Sequence, residues 1–250
     1  MRTAAIISYS SYHNAYIERC IEEAKKAAEH VMVVSYDHFF DGVEDTELLK
    51  LDGVQHLILH NEPQATDHAR SFHNEQRKQA YKELEGEYDA VFFIDSDEIL
   101  EGDRVKQWLI NEVQQGEDYK LAHFWYYRDT CYRSNVIEEG AILVSTETLT
   151  SSGINWYGER ERENYSTTWN YMAGYKRNVL GHHYSWAGTK DMIMRKVASW
   201  GHNEDNTDWK SIVEEEYSHE FDYKCPFRPQ YQFSKVEPFI DFTFEGDEVS

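Results

Sequence analysis

Short apolar runs, each followed by a polar segment, recur through the first hundred residues. The runs at 4–8, 31–36 and 54–59, and the run Val91-Phe92-Phe93-Ile94, lack the alternation expected of a half-exposed strand. Uninterrupted apolar runs of this length are typical of strands that are buried on both faces of a parallel sheet. The pattern therefore predicts four buried strands in this part of the chain.

Segments with helical periodicity separate these strands. Residues 14–28 and 65–84 repeat apolar side chains every three to four positions, which indicates amphipathic helices. Asn14 is placed to cap the first helix, and a short helical piece is expected around 48–51. Strands that alternate with helix-length segments are typical of βαβ units. We expect an α/β fold with a mostly parallel central sheet flanked by helices.

The second half has a different pattern, in which apolar runs are shorter and polar connections longer. Strands are predicted over 121–127, 141–145 and 179–186, and helices over 105–113, 189–200 and 211–217. A polar stretch at 151–168 is expected to be a long loop, and long loops in compact domains often bind ligands. We predict one domain over 1–205 and a helical C-terminal extension over 206–250 packed on it.

Composition and charge narrow the function classes. The 250 residues carry a formal net charge of -21, and 40% of them are hydrophobic. Such a chain should be repelled by nucleic acid and by anionic membranes, so no nucleic-acid partner is expected. A nucleotide ligand would need a cation to screen its phosphates. The oligomeric state is left open.

Cysteine spacing and hydropathy indicate where in the cell the protein is expected to be located. Cys20, Cys131 and Cys225 lie far apart, without the spacing of a metal site or a disulfide framework. No apolar run is long enough to cross a membrane. We therefore expect no transmembrane segment and a reducing, cytoplasmic location.

Three carboxylates follow the fourth predicted strand. Asp95, Asp97 and Glu98 come directly after Ile94, at the carboxyl end of a strand, where open α/β sheets bind ligands. Carboxylates this close together repel one another unless a cation lies between them, and oxygen ligands suit Mg²⁺ or Mn²⁺. The alternative is that Asp97 or Glu98 caps a following helix.

These residues resemble a known superfamily. The segment from Tyr88 to Glu98, with Arg70 and Asn74 upstream, is similar to the nucleotide-binding core of GT-A-fold glycosyltransferases of the family 2 type. Asp95-Ser96-Asp97 matches their D-x-D motif. The segment Gly181-His182-His183-Tyr184-Ser185-Trp186 resembles the His-x-Ser-Trp element of some small GT-A enzymes, including relatives of the bisecting N-acetylglucosaminyltransferases.

The resemblance implies an activity and a set of binding residues. It implies a metal-dependent glycosyltransferase that moves a sugar from a nucleoside-diphosphate sugar, with a UDP-sugar favoured, to a hydroxyl of a glycan or another acceptor. Residues 1–100 would form the nucleotide-sugar half and 101–205 the acceptor half. The implied ligands of Mn²⁺ or Mg²⁺ are Asp95, Asp97 and His183. The implied donor contacts are Asp37, Arg70, Asn74, Arg77 and Asp95.

Some of these roles have simpler alternatives. Asp37 could instead form an Asx-turn, and Arg70 and Arg77 could form ion pairs on a helix surface. A general base is also needed to deprotonate the acceptor hydroxyl if the reaction inverts the sugar configuration. Glu159 and Glu161 in the polar stretch are the predicted catalytic residues, with Glu138 and Asp129 as further candidates.

Strand alternation predicts different surroundings for the two adjacent histidines. Neighbouring side chains in a strand point to opposite faces. His182 shares its face with bulky residues, so we expect it in the core with a hydrogen bond there. His183 shares its face with Gly181 and Ser185, which leaves room for a ligand.

Two other functions remain open. A metal-dependent phosphoryl or nucleotidyl transferase would also use paired carboxylates. Such enzymes usually have a loop rich in Gly or bearing a Lys, whereas the first strand here is followed by residues 10–14, which contain neither. A non-catalytic module that binds a nucleotide-sugar is the second alternative.

Overall fold

The computed structural model describes residues 1–60, 69–84, 88–151, 170–173, 179–199 and 207–244. The strands in this part of the chain are β1 (Thr3–Ser8), β2 (His30–Tyr36), β3 (Gln55–Leu59), β4 (Ala90–Asp95), β5 (Glu98–Leu100), β6 (Tyr119–Arg128), β7 (Tyr132–Ser145), β8 (Asn170–Ala173), β9 (Gly181–Ala187) and β10 (Phe233–Lys235). The helices are α1 (Asn14–Ala27), α2 (Ala69–Lys82), α3 (Gly102–Asn111), α4 (Thr146–Ser151), α5 (Lys190–Ser199) and α6 (Trp209–Glu216), and a 3₁₀ turn spans Ser11–His13.

One sheet organises the molecule, in the order β3-β2-β1-β4-β7-β6-β9-β5. The first four of these strands are all parallel. Beyond them the sheet is mixed, because β7 is antiparallel to both β4 and β6, and β9 is parallel to β6. The α/β fold with a central sheet flanked by helices is confirmed.

Helices cover both faces of the parallel half. On one face, Ile7 and Phe92 pack with Ile17 of α1 and Val105 of α3. On the other face, Ile6 and Phe93 pack with Ala80 and Tyr81 of α2, together with Leu149 of α4. Successive residues of β1 and β4 therefore face different helices, and this explains why these strands show apolar runs without alternation. The prediction that β3 is buried on both faces is wrong, because β3 is an edge strand whose residues are only partly buried or exposed.

Local chemistry changes two of the predicted elements. Asn14 is the first residue of α1 and does not cap it, because its side-chain oxygen accepts from the Tyr9 hydroxyl while its amide group donates to the Glu47 carbonyl. The segment 48–51 contains no helix. Its residues Leu48 and Leu51 pack against the core from an irregular segment instead.

A short strand replaces the predicted cap after the acidic motif. Glu98 begins β5, which pairs antiparallel with β9, and α3 starts only at Gly102. Asp97 and Glu98 are therefore not helix caps. Three residues are too few for a periodicity to reveal a strand in the sequence.

The C-terminal extension is less helical than predicted. It contains α6, but its later part adds strand β10 to β7. Ile240 is 1% exposed and belongs to the main core, and Phe239 stacks on His182 with ring centroids 4.1 Å apart. The boundary between 1–205 and 206–250 stays a prediction.

Candidate active site at the carboxyl edge of the parallel strands

The four parallel strands end at one edge of the sheet. Ser8 at the end of β1 lies in register with Asp95 at the end of β4. The 3₁₀ turn after β1 and the acidic motif after β4 consequently meet. His13 Nδ1 lies 2.9 Å from Ser96 Oγ, and both side chains are buried.

Asp97 lies at the centre of this edge. It is 2% exposed. Its Oδ2 atom accepts a hydrogen bond from Lys196 Nζ at 2.6 Å and lies 3.2 Å from His13 Nε2. Its Oδ1 atom lies 3.9 Å from His183 Nε2. These contacts join the turn after β1, the end of β4, strand β9 and helix α5 around one carboxylate.

The electrostatic state of Asp97 follows from these neighbours. Burial acts to raise the pKa of Asp97, but His13 and Lys196 outweigh burial and hold the pKa well below its ordinary value of 3.8. Burial lowers the pKa of His13 below 6.5, although Asp97 opposes that shift. Asp97 is thus an anion at neutral pH, and Lys196 provides its compensating charge.

Asp95 pairs with a different cation. Its Oδ1 atom accepts from Arg77 Nη2, and Arg77 Nη1 donates to Asn74 Oδ1 at 3.1 Å. Arg77 and Asn74 are 2% and 1% exposed. Both were predicted to contact the donor, and that role stays a prediction. Arg77 is buried where it pairs with Asp95, so this ion pair does not lie on the helix surface.

Glu98 has a structural part in the same motif. It is fully buried, and its carboxylate accepts from the Asp95 backbone N–H at 2.9 Å. This bond closes the turn between β4 and β5. The three carboxylates that are adjacent in the sequence therefore have three different partners.

The alternation of β9 places the two histidines as predicted. His182 is 5% exposed and hydrogen-bonds the Tyr126 hydroxyl at 2.8 Å. His183 lies on the other face, beside Asp97. His183 is therefore at the candidate site and His182 is in the core.

Asp37 is at the same edge of the sheet, directly after β2. Its two carboxylate oxygens lie 2.7 Å from His38 Nδ1 and 2.8 Å from His60 Nδ1. These hydrogen bonds lower the pKa of Asp37 below 3.8. Its role as a donor contact stays a prediction.

The predicted catalytic residues cannot all be located. Glu159, Glu161 and the Arg70 side chain lie outside the described residues. Of the further candidates, Glu138 accepts hydrogen bonds from Tyr231 and Arg228. Asp129 accepts from the backbone N–H groups of Cys131 and Phe244. Both have partners that suit structural roles.

Two site residues were missed in the sequence. His13 follows β1 in a polar turn, where a histidine carries no distinctive signal. Lys196 shares a helix face with Ile193 and Val197, which are 3% and 4% exposed. A lysine on an otherwise apolar face needs a buried partner, and that was the available signal.

The implied divalent ion can be compared with these contacts. Mg²⁺ binds oxygen at about 2.0–2.1 Å and would need several of these oxygens together. Asp95 and Asp97 instead pair with Arg77 and Lys196. Within the described ranges, no group of three or more His, Cys, Asp and Glu residues has an arrangement that could hold a metal. The residues as they stand do not fit a shared ion, and the metal site stays a prediction.

Comparisons with known proteins give partial structural likeness. No protein-family model matches the sequence, and a comparison with curated proteins finds no match. S. aureus TarS 1-349, solved in complex with UDP-GlcNAc, is 12% identical, with 87% of this chain and 72% of that chain covered and a TM-score of 0.45. A glycosyltransferase involved in glycosylation of the major capsid of PBCV-1 is 13% identical, with 76% and 96% covered and a TM-score of 0.40.

A synthase has a weaker structural likeness. The 4-diphosphocytidyl-2C-methyl-D-erythritol synthase from Anaerococcus prevotii is 11% identical, with 60% of this chain and 74% of that chain covered and a TM-score of 0.34. In the part of the chain that is described, no helix has the length and apolar character needed to span a membrane. The function proposed below rests on this chain's own residues.

Proposed function

We propose that this protein is a glycosyltransferase that transfers a sugar from a nucleoside-diphosphate sugar to a hydroxyl of a glycan or another acceptor, with a UDP-sugar as the first donor to test. One observation carries the proposal. The Asp95-Ser96-Asp97 motif begins at the last residue of a buried parallel strand and lies at the carboxyl edge of the sheet. Open α/β sheets bind ligands outside this edge.

The charges at this edge are compatible with an anionic donor. Arg77 balances Asp95, and Lys196 balances Asp97. The two aspartates of the motif are therefore already paired when a diphosphate approaches, in spite of the net charge of -21 on the whole chain. Cationic groups held in fixed positions stabilise the charge that develops on a leaving nucleoside diphosphate. Glu159 and Glu161 remain the proposed bases for the acceptor hydroxyl.

A specific observation argues against the nucleotidyl-transferase alternative. The turn after β1, where such enzymes usually bind phosphates, folds onto the acidic motif instead. His13 contacts Ser96, and the Ser11 backbone N–H donates to Asp45 Oδ2 at 3.0 Å. The N–H of Ser11 is thus already bound, and the turn offers no Gly or Lys to a phosphate.

Donor hydrolysis tests the proposal. The purified protein is incubated with UDP-glucose, UDP-GlcNAc or GDP-mannose, with and without Mn²⁺, and release of the nucleoside diphosphate is measured. We expect slow release from at least one donor. Asp95→Asn should slow that release roughly 100-fold, because the carboxylate that orients Arg77 loses its charge.

Asp52→Asn is the matched control. Asp52 is exposed and precedes β3, at the opposite edge of the sheet, so release should be unchanged in this variant. Binding of a donor without any release would favour the non-catalytic binding module. Release of pyrophosphate from a nucleoside triphosphate and a sugar phosphate would favour the nucleotidyl transferase.

A further inference from the structure

The cation beside Asp97 is already part of the chain. Lys196 Nζ lies 2.6 Å from Asp97 Oδ2 and 2.7 Å from the Ser185 carbonyl oxygen. The Ser185 hydroxyl is within 3.5 Å of the same ammonium group. Lys196 is 8% exposed and Asp97 is 2% exposed. Burial of an unpaired charge is very costly, so this buried ammonium group requires its two short oxygen contacts.

The helix that carries Lys196 is fixed on two sides. Ile193 and Val197 insert into the cluster around Trp186. On the side of the β2 loop, Arg195 pairs with Asp41, and its guanidinium lies 3.8 Å from the centroid of the Phe39 ring. Movement of the ammonium away from Asp97 would require the Lys196 side chain to change its rotamer within this packing.

A divalent ion and this ammonium cannot both bind Asp97 Oδ2 in the present arrangement. A metal at bonding distance from Oδ2 would lie close to Nζ, and two cations would then repel each other at short range. Among the described residues, the second oxygen, Oδ1, faces His183, whose Nε2 atom lies 3.9 Å away. One carboxylate oxygen and one imidazole would leave most positions around an octahedral ion to water, so this side of Asp97 offers no complete set of protein ligands.

We propose that Lys196 occupies the cation position beside Asp97, so that Asp97 is the counter-ion of Lys196 and the site uses no divalent ion there. Lys196 is a positioning residue that fixes charge and geometry at the edge of the sheet. The role of Lys196 in catalysis rests on the proposed function. If the protein transfers sugar, the fixed ammonium group provides positive charge near the donor diphosphate.

Binding of Mn²⁺ alone tests the inference. Free Mn²⁺ is measured by electron paramagnetic resonance during titration of the wild type, Asp97→Asn, Lys196→Met and the double variant. We expect the wild type and Asp97→Asn to bind Mn²⁺ equally. Lys196→Met removes the competing ammonium group from Asp97 Oδ2 and should gain at least ~tenfold in affinity, and the double variant should lose that gain. Lys190→Met, an exposed lysine on the same helix, should match the wild type.

The opposite result would overturn the inference. If the wild type binds Mn²⁺ at least ~tenfold more tightly than Asp97→Asn, then Asp97 is a metal ligand. The single variants leave a buried charge unpaired and can fail to fold. In that case the wild type and the uncharged double variant decide, since tighter Mn²⁺ binding by the wild type overturns the inference and equal binding supports it. The titration contains no nucleotide or sugar, so its outcome is independent of whether the protein transfers sugar.

Discussion

At the scale of single residues, neighbours in the sequence have quite different roles. Asp95 and Asp97 are two positions apart, yet each pairs with a cation from a different helix. His182 and His183 are adjacent, yet one is in the core and the other is beside Asp97. These differences follow from strand alternation and from the turn after β4, which point adjacent side chains in different directions.

The two histidines give a test at this scale. His182→Ala should lower the free energy of unfolding by about 2–4 kcal/mol, because it leaves a cavity between Tyr126 and Phe239 and removes a buried hydrogen bond. His183→Ala removes a partly exposed ring and should cost no more than about 1 kcal/mol. Urea unfolding at pH 7.5 measures both values. Equal costs would contradict the assignment of His182 to the core.

The pH dependence of the same variants provides a control. Burial lowers the pKa of His182 below 6.5, although Glu101 opposes that shift. A histidine whose pKa is lowered in the folded state stabilises the fold fully above its unfolded pKa, and this stabilisation is lost as the pH falls from about 6.5 toward the folded pKa. The wild type should therefore lose more stability between pH 7.5 and pH 5 than His182→Ala. A steeper loss in the variant would be inconsistent with a buried neutral imidazole.

At the scale of elements, strands β6, β7 and β9 pack closely around one histidine that lies between two glycines. His123 of β6 is fully buried. A Cβ on Gly140 of β7 would lie 2.3 Å from His123 Nδ1, and a Cβ on Gly181 of β9 would lie 2.4 Å from Nε2. The close approach of the three strands therefore requires glycine on both sides of this ring.

Gly140→Ala tests that packing. The added methyl group meets only the His123 ring among its three nearest atoms, so the variant should be destabilised by about 1–3 kcal/mol. Removing the ring should relieve the clash, and Gly140→Ala should cost much less in a His123→Ala background. Thermal and urea unfolding of the wild type, the two single variants and the double variant measure the coupling energy between positions 140 and 123. Identical costs in both backgrounds would mean that His123 is not the obstacle.

At the scale of the whole molecule, the C-terminal extension belongs to the same core as the parallel half. Ile240 lies in one cluster with Ile7, Phe92 and Tyr184. The Phe227 ring packs at a tilt against Trp186, with ring centroids 4.5 Å apart. Arg128, at a φ of 64°, donates to the carbonyls of Glu216 and His219. The extension should therefore unfold together with the sheet.

Ile240→Ala tests this coupling between distant parts of the chain. It should lower the free energy of unfolding by roughly 2–5 kcal/mol, because Ile240 is 1% exposed. Urea transitions followed by tryptophan fluorescence and by far-UV circular dichroism should shift together. Glu237→Ala, at an exposed neighbouring position, should change the stability by less than about 0.5 kcal/mol. Separate transitions would indicate that the extension folds on its own.

The sequence by itself determined the parallel half of the fold. Apolar runs separated by helical periodicity predicted β1, β2, β3, β4, α1 and α2. Burial on both faces leaves a strong local pattern in β1, β2 and β4, whereas β3 was recognised as a strand although it lies at the sheet edge and is only partly buried. The same pattern placed Asp95 and Asp97 at a strand end. Alternation in β9 distinguished His182 from His183 before any contact was known.

Only the tertiary structure decided which charges meet. Lys196 and Asp97 are 99 positions apart, and His13 and Ser96 are 83 positions apart. No local pattern encodes such pairs, since they arise where a helix after β9 and a turn after β1 reach the same edge of the sheet. The three-residue strand β5 and the added strand β10 were also missed, because pairing with distant strands defines them and short segments carry no periodicity. Three carboxylates within four residues suggest a metal in the sequence, whereas in the fold Asp95 pairs with an arginine, Asp97 pairs with a lysine and Glu98 accepts from a backbone N–H group.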